Sequence, residues 1–131
     1  MSKLTIRLRQ TRRGREQLRE FVTFIDVEIE QAGDDQLLAD FPDKTASDLI
    51  VRSLIMWYPG AHAPGQRADV ELVTIAEQRS VIGRFLLSRG GNAVQLSREI
   101  YTGGPLYIWS SVGGVRVSGE CERVGLIADR I

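Results

Sequence analysis

The sequence predicts a single α+β domain over residues 1–131, in which a C-terminally weighted antiparallel sheet packs against two helices. Three observations point there. Leu18, Phe21, Val22, Ile25 and Ile29 recur at i, i+3, i+4, i+7 and i+11, the stripe of an amphipathic helix. Thr45-Ala46-Ser47-Asp48 resembles a capping box and opens a second apolar run that Tyr58-Pro59-Gly60 closes. The last third is β-rich and punctuated by glycine pairs.

Each element has its own warrant. Leu4, Ile6 and Leu8 alternate with Thr5, Arg7 and Arg9, the period of a strand with one apolar and one basic face. Thr11 is placed to cap the first helix, which runs beyond Gly14 and stops at Gly33. Its charges run the wrong way: Arg12, Arg13 and Arg15 stand in the first turn and Glu28 and Glu30 in the last, opposite to what a helix dipole favours. The second helix carries Leu49, Ile50, Ser53, Leu54 and Trp57 on one face, and Val51, Ile55 and Met56 extend its apolar surface beyond it. Residues 59–68 read as a loop, and Val70, Leu72 and Thr74 alternate as a strand. Val81, Ile82, Phe85 and Leu86, backed by Gly90-Gly91, fit a short helix, while their β-branched content also allows a strand. Runs at 94–101, 106–112 and 115–124 are strands. Gly113-Gly114 predicts a two-residue hairpin that sets Val112 against Val115 and Leu106 against Cys121, with Leu106, Ile108, Val112, Val115, Val117 and Cys121 on its core face. The other face sets Tyr107, Trp109 and Ser111 beside Glu120, Ser118 and Arg116.

Composition narrows the function classes. The first residues, Met1-Ser2-Lys3-Leu4, carry charge where an export signal needs an apolar run, and the richest apolar stretch is broken by Arg52 and Ser53. The expected home is therefore a reducing cytoplasm, its own or a host cell's, with no membrane span. A lone Cys121 and a lone His62 leave no disulfide and no zinc set, and the carboxylates Asp34, Asp35, Asp40 and Asp43 lack the ligand spacing of a cation loop. No cofactor and no metal is expected. His62 sits in a Pro/Gly-rich loop without a nucleophile in an elbow context, so no catalytic residue is named.

Charge is segregated although the 17 basic and 17 acidic residues balance. Residues 1–20 hold seven cations and two anions, a balance of +5, and residues 21–50 hold eight anions and one cation, a balance of −7. Such a split pairs within a chain, pairs head to tail between copies, or presents cations to phosphate. The leading expectation is a non-enzymatic interaction or assembly protein that forms homo-oligomers and takes protein partners, of the accessory or viral and phage structural kind. Its contact residues are Leu49, Leu54, Ile55, Met56 and Trp57 on the second helix and Tyr107 and Trp109 on the hairpin. An enzyme with a small-molecule pocket between sheet and helices is the alternative. A nucleic-acid-binding module that uses the basic patch Arg7, Arg9, Arg12, Arg13 and Arg15 comes third, because no base-reading motif accompanies those arginines.

Overall fold

β-Branched and aromatic side chains crowd the segments whose spacing predicts helices: Phe21-Val22-Thr23-Phe24-Ile25, Ile50-Val51 and Val81-Ile82 suit a pleated surface. The computed structural model describes residues 2–10, 16–40, 49–75, 77–96, 99–102 and 104–126, and over these it contains strands and no helix. The strands are β1 Ser2–Gln10, β2 Glu16–Glu28, β3 Gln36–Ala39, β4 Leu49–Trp57, β5 Arg67–Ile75, β6 Arg79–Ser88, β7 Val94–Gln95, β8 Ile100–Thr102, β9 Leu106–Ser110 and β10 Arg116–Leu126. They form two antiparallel sheets. The first has the order β1-β2-β10-β4, with β7 and β8 both on the far side of β4, and the second has the order β3-β9-β5-β6. The α+β expectation with two helices is therefore corrected to an all-β fold.

One physical cause accounts for the two misread helices and for the ambiguity between helix and strand at residues 78–89. Each segment is a strand interrupted by a β-bulge, which inserts one residue and shifts the side-chain alternation by one. On β2 the register against β10 moves from Phe24↔Gly119 to Val27↔Val117, so two residues, Ile25 and Asp26, oppose Ser118. On β4 it moves from Val51↔Cys121 to Ser53↔Glu120, and on β6 from Val81↔Val73 to Gly83↔Leu72. The buried positions become Val22, Phe24 and Ile29, with Val27 packed against them, and Leu49, Val51, Leu54 and Met56. Spacings of two, three and two mix the strand period with a step of three, and that mixture imitates the helical period.

The glycine link also differs from expectation. Gly113-Gly114 does not close a hairpin, because β9 lies in the second sheet and β10 in the first. Gly114, in the left-handed region at φ +90°, donates its N–H to the carbonyl of Ile29 at 2.9 Å, and Ile29 donates to Val115 at 2.8 Å. The link is thus bonded to the end of β2 and carries the chain from one sheet to the other. Leu106, Ile108, Val115, Val117 and Cys121 are all fully buried, and Val112 packs against them. They meet across the interior where the hairpin register would set them side by side.

Phe24, Leu54, Met56 and Val117 from the first sheet and Val70, Leu72, Leu87, Leu106 and Ile108 from the second fill that interior. The single thiol lies within it. Burial, with the charge of Glu120 adding to it, pushes Cys121 up to about 12. At pH 8 its thiolate fraction is then on the order of 10⁻⁴. Ellman's reagent is expected to leave the native protein unlabelled over hours and to label it stoichiometrically once denaturant is added, whereas rapid native labelling would place the thiol outside the core.

Candidate functional site

Two bulges, on the strands β2 and β4 that flank β10, shape the outer face of the first sheet. Between them, on β10, sits Gly119, whose missing side chain lets the β4 backbone approach: a Cβ there would lie 2.5 Å from the Ser53 carbonyl oxygen and 2.9 Å from Cζ of Phe24. A shallow trough of about 390 Å³ opens over this point, lined by Thr23, Ile25, Ser53, Ile55, Ser118 and Glu120. Ile25 is 67% exposed, displaced outward by the bulge that β2 makes there. Its neighbour Asp26 adopts φ +51°, a conformation that the short polar side chains tolerate best. Asp26 donates its N–H to Ser118 Oγ at 2.7 Å, and Arg116 reaches Asp26 Oδ2 at 3.1 Å and Glu28 Oε1 at 3.6 Å. Thr23 completes the rim through Glu120 at 3.5 Å. Hydroxyl, carboxylate and isoleucine side chains together suit a small polar ligand with an apolar edge.

Beside the trough lies an ion cluster. Arg52, the bulge residue of β4, donates Nε and Nη2 to the two carboxylate oxygens of Glu122 at 3.2 and 3.0 Å, and its Nη1 to Glu99. Glu122 is 1% exposed. The hydrogen bond to Glu122 raises Arg52 above its ordinary value, burial opposes that, and the charges of Glu122 and Glu99 add to it. Tyr101, exposed, extends the chain by donating to Glu99 at 3.5 Å. This is a bidentate arginine lock between strands. No set of three His, Cys, Asp or Glu side chains fit to hold a metal occurs among the described residues.

The outer face of the second sheet carries Leu37, Tyr107, Val73 and Val81 in one row across β3, β9, β5 and β6. Trp109 and Glu71 stand opposite each other in the next row. Arg79 donates to both oxygens of Asp35, at 2.8 and 3.0 Å, and to Glu71 at 3.2 Å, while Arg84 meets Glu71 from the other side at 3.2 Å. Asp35 precedes β3 and Glu71 lies on β5, so the Arg79 guanidinium bridges across β9, the strand that bears the two aromatics. Those hydrogen bonds hold Arg79 above its ordinary range.

The expected contact residues are dispersed by this geometry. Leu49, Leu54 and Met56 are buried, whereas Ile55 and Trp57 are half-buried, with Ile55 on the trough wall. Tyr107 and Trp109 are half-buried on the second sheet, and the neighbours expected for them, Arg116, Ser118 and Glu120, belong to the first. Arg7 and Arg9 lie in β1, where the ladder sets them opposite Arg19 and Gln17; Arg12, Arg13, Arg15 and Asp43 lie outside the described residues. His62 is exposed. Sequence reading missed Gly119, Ile25, Leu37, Leu86 and Arg79. A glycine inside a β-rich run was the available signal for the first of these, since it marks a bulge or a close backbone approach. No family model matches the sequence, and no curated protein matches it as a relative.

Proposed function

We propose that the protein is a non-catalytic interaction and assembly module that associates with copies of itself. One observation carries this reading: the second sheet ends in two strands, β3 and β6, each paired on one side in the described sheet, and each bears an outward leucine at its margin. Leu37 is 50% exposed and Leu86 is 52% exposed. A terminal strand presents a row of backbone donors and acceptors to a further strand, and an apolar side chain on it adds burial when one docks. No helix among the described residues is long and apolar enough to cross a membrane. A lone buried thiol supports a reducing cytoplasm, the protein's own or a host's, as the place of work.

Light scattering behind size exclusion, run from low to high micromolar concentration, is the direct test. A weight-average mass that rises above 14.6 kDa is expected, and a constant monomer mass would refute self-association. A nucleic-acid partner is tested in the same runs by adding an oligonucleotide at two salt concentrations. Co-elution at low salt, lost at high salt, would promote the N-terminal arginines from third place.

The trough over Gly119 supports a second reading, small-molecule binding on the outside of the first sheet. It lies on an outer face of the first sheet, unlike the pocket that the sequence places between sheet and helices.

A further inference from the structure

The side chains that wall the trough over Gly119 are set in two rows by the register of the first sheet. Thr23, Glu120 and Ser53 stand side by side across β2, β10 and β4, and Ser118, Ile55 and Gln95 form the next row across β10, β4 and β7. Ile25, turned outward by the β2 bulge, closes that second row beside Ser118. Hydroxyl groups therefore come from all three central strands, while the two isoleucines flank the depression with aliphatic surface.

Glu120 is the one ionisable side chain of this lining, and its acceptor capacity is largely uncommitted. The hydrogen bond it takes from Thr23 is 3.5 Å long, at the limit for such a bond, and no ion pair to it occurs among the described residues. A carboxylate can accept about four hydrogen bonds. The guanidinium nearest along β10, that of Arg116, is taken by Asp26 and Glu28, whose side chains are 54% and 46% exposed, so the surface around the trough adds negative charge. An anion would be repelled. A hard divalent cation takes about six to eight oxygen ligands, commonly from several carboxylates, and this lining has one. A flat ring finds no exposed aromatic face to stack on, because Phe24 is fully buried. A compact organic cation with an aliphatic body matches what remains.

We infer that the trough binds a small aliphatic amine, with its ammonium group on Glu120 and its carbon chain over the β10 backbone at Gly119, between Ile25 and Ile55. The inference rests on the small-molecule reading above and names the ligand class. An ammonium group carries three N–H donors. The Glu120 carboxylate accepts a charge-assisted hydrogen bond, and the hydroxyls of Thr23 and Ser53, its neighbours on either side in the row, are the further acceptors within that row. The trough is shallow and covers only part of such a ligand, so binding is weak and selective for charge more than for shape.

NMR titrations of the full chain with n-butylammonium, n-butanol and butyrate, three probes of one length and different charge, test it. Butylammonium is expected to move the amide signals of Thr23, Ser53, Ser118 and Gly119 and to bind at least about tenfold tighter than either other probe, as one hydrogen bond to a charged group implies. Glu120→Gln keeps the size of a half-buried side chain, its spectrum reports directly that the fold is kept, and it is expected to abolish that preference. Added salt should reduce the preference in the wild type. Equal binding of n-butanol or butyrate, or unchanged butylammonium binding by Glu120→Gln, overturns the amine assignment. If butylammonium leaves the trough signals unmoved while a set of neutral fragments run beside it shifts them, the ligand class falls and small-molecule binding stands. Trough signals that none of the probes or fragments moves remove both.

Discussion

Gly119→Ala is expected to cost about 3 kcal/mol of unfolding free energy, at the top of the range for overpacking a well-filled site. The added methyl would meet the Ser53 carbonyl oxygen at 2.5 Å and the Phe24 ring at 2.9 and 3.0 Å. Neither neighbour can yield cheaply. The carbonyl is backbone on a central strand, and Phe24 is fully buried, so relief requires β4 and β10 to separate or the ring to leave its place in the core. Native domains have only about 5–15 kcal/mol in hand. Thermal denaturation should therefore show a midpoint lowered by roughly 10 °C, at about 3–4 °C per kcal/mol for a chain of this length. Gly114→Ala is the comparison: it sits at φ +90° with no atom within 4 Å of the added group. Its cost is that of a left-handed backbone, about 1–2 kcal/mol. A Gly119 variant no less stable than the Gly114 variant would mean that the strands do not approach as described.

The same crowding links stability to the trough. Gly119 lies where β2 on one side and β4 on the other each insert a residue against β10, and the two bulges turn Ile25, Asp26 and Arg52 outward. A strand with a side chain at 119 would push its neighbours apart and fill the depression between Ile25 and Ile55. The site and the close packing beneath it are one feature.

Much of the chain was legible in advance, and the failures share a mechanism. Alternation at Leu4, Ile6 and Leu8 and at Val70, Leu72 and Thr74 found β1 and β5, which run without a bulge through those residues. The stripe from Leu18 to Ile29 and the run from Leu49 to Trp57 misled because a bulge offsets the inward positions by one, and a periodicity test assumes that the period is constant. A correcting signal was present. Arginines at the start of the supposed first helix and glutamates at its end oppose a helix dipole, but a strand has no comparable dipole to oppose. The hairpin failed for a different reason. Alternation tells which side chains go inward, and Leu106, Ile108, Val115, Val117 and Cys121 do. It does not tell whether two inward rows lie side by side in one sheet or face each other across a sandwich. Only long-range hydrogen bonds decide that, here those of Gly114 and Val115 with Ile29. The margins at Leu37 and Leu86 were invisible because edge and centre are properties of strand order, which local sequence does not encode.

Arg52→Ala is expected to be the most damaging change to a charged side chain. Sequence reading took Arg52 as a break in an apolar run; in the strand it is the inserted residue, and the bulge delivers its guanidinium to the outer face. There it holds both carboxylate oxygens of Glu122, a residue 1% exposed, and so couples β4 to β10. Truncating one partner of a buried pair costs about 3–5 kcal/mol, because the remaining charge keeps its desolvation penalty and loses its compensation. With 29% of the Arg52 side chain in water, the lower end, about 3 kcal/mol, is expected. Arg52→Lys should recover only part of this, since an ammonium cannot match the two parallel bonds that the planar fork makes. Glu99→Gln tests the other arm: its side chain is 44% exposed, and an exposed pair contributes no more than about 1 kcal/mol. Urea unfolding of the three variants should rank them Arg52→Ala, Arg52→Lys, Glu99→Gln from most to least destabilised. Equal losses at Arg52 and Glu99 would show that the buried carboxylate is not what the arginine compensates.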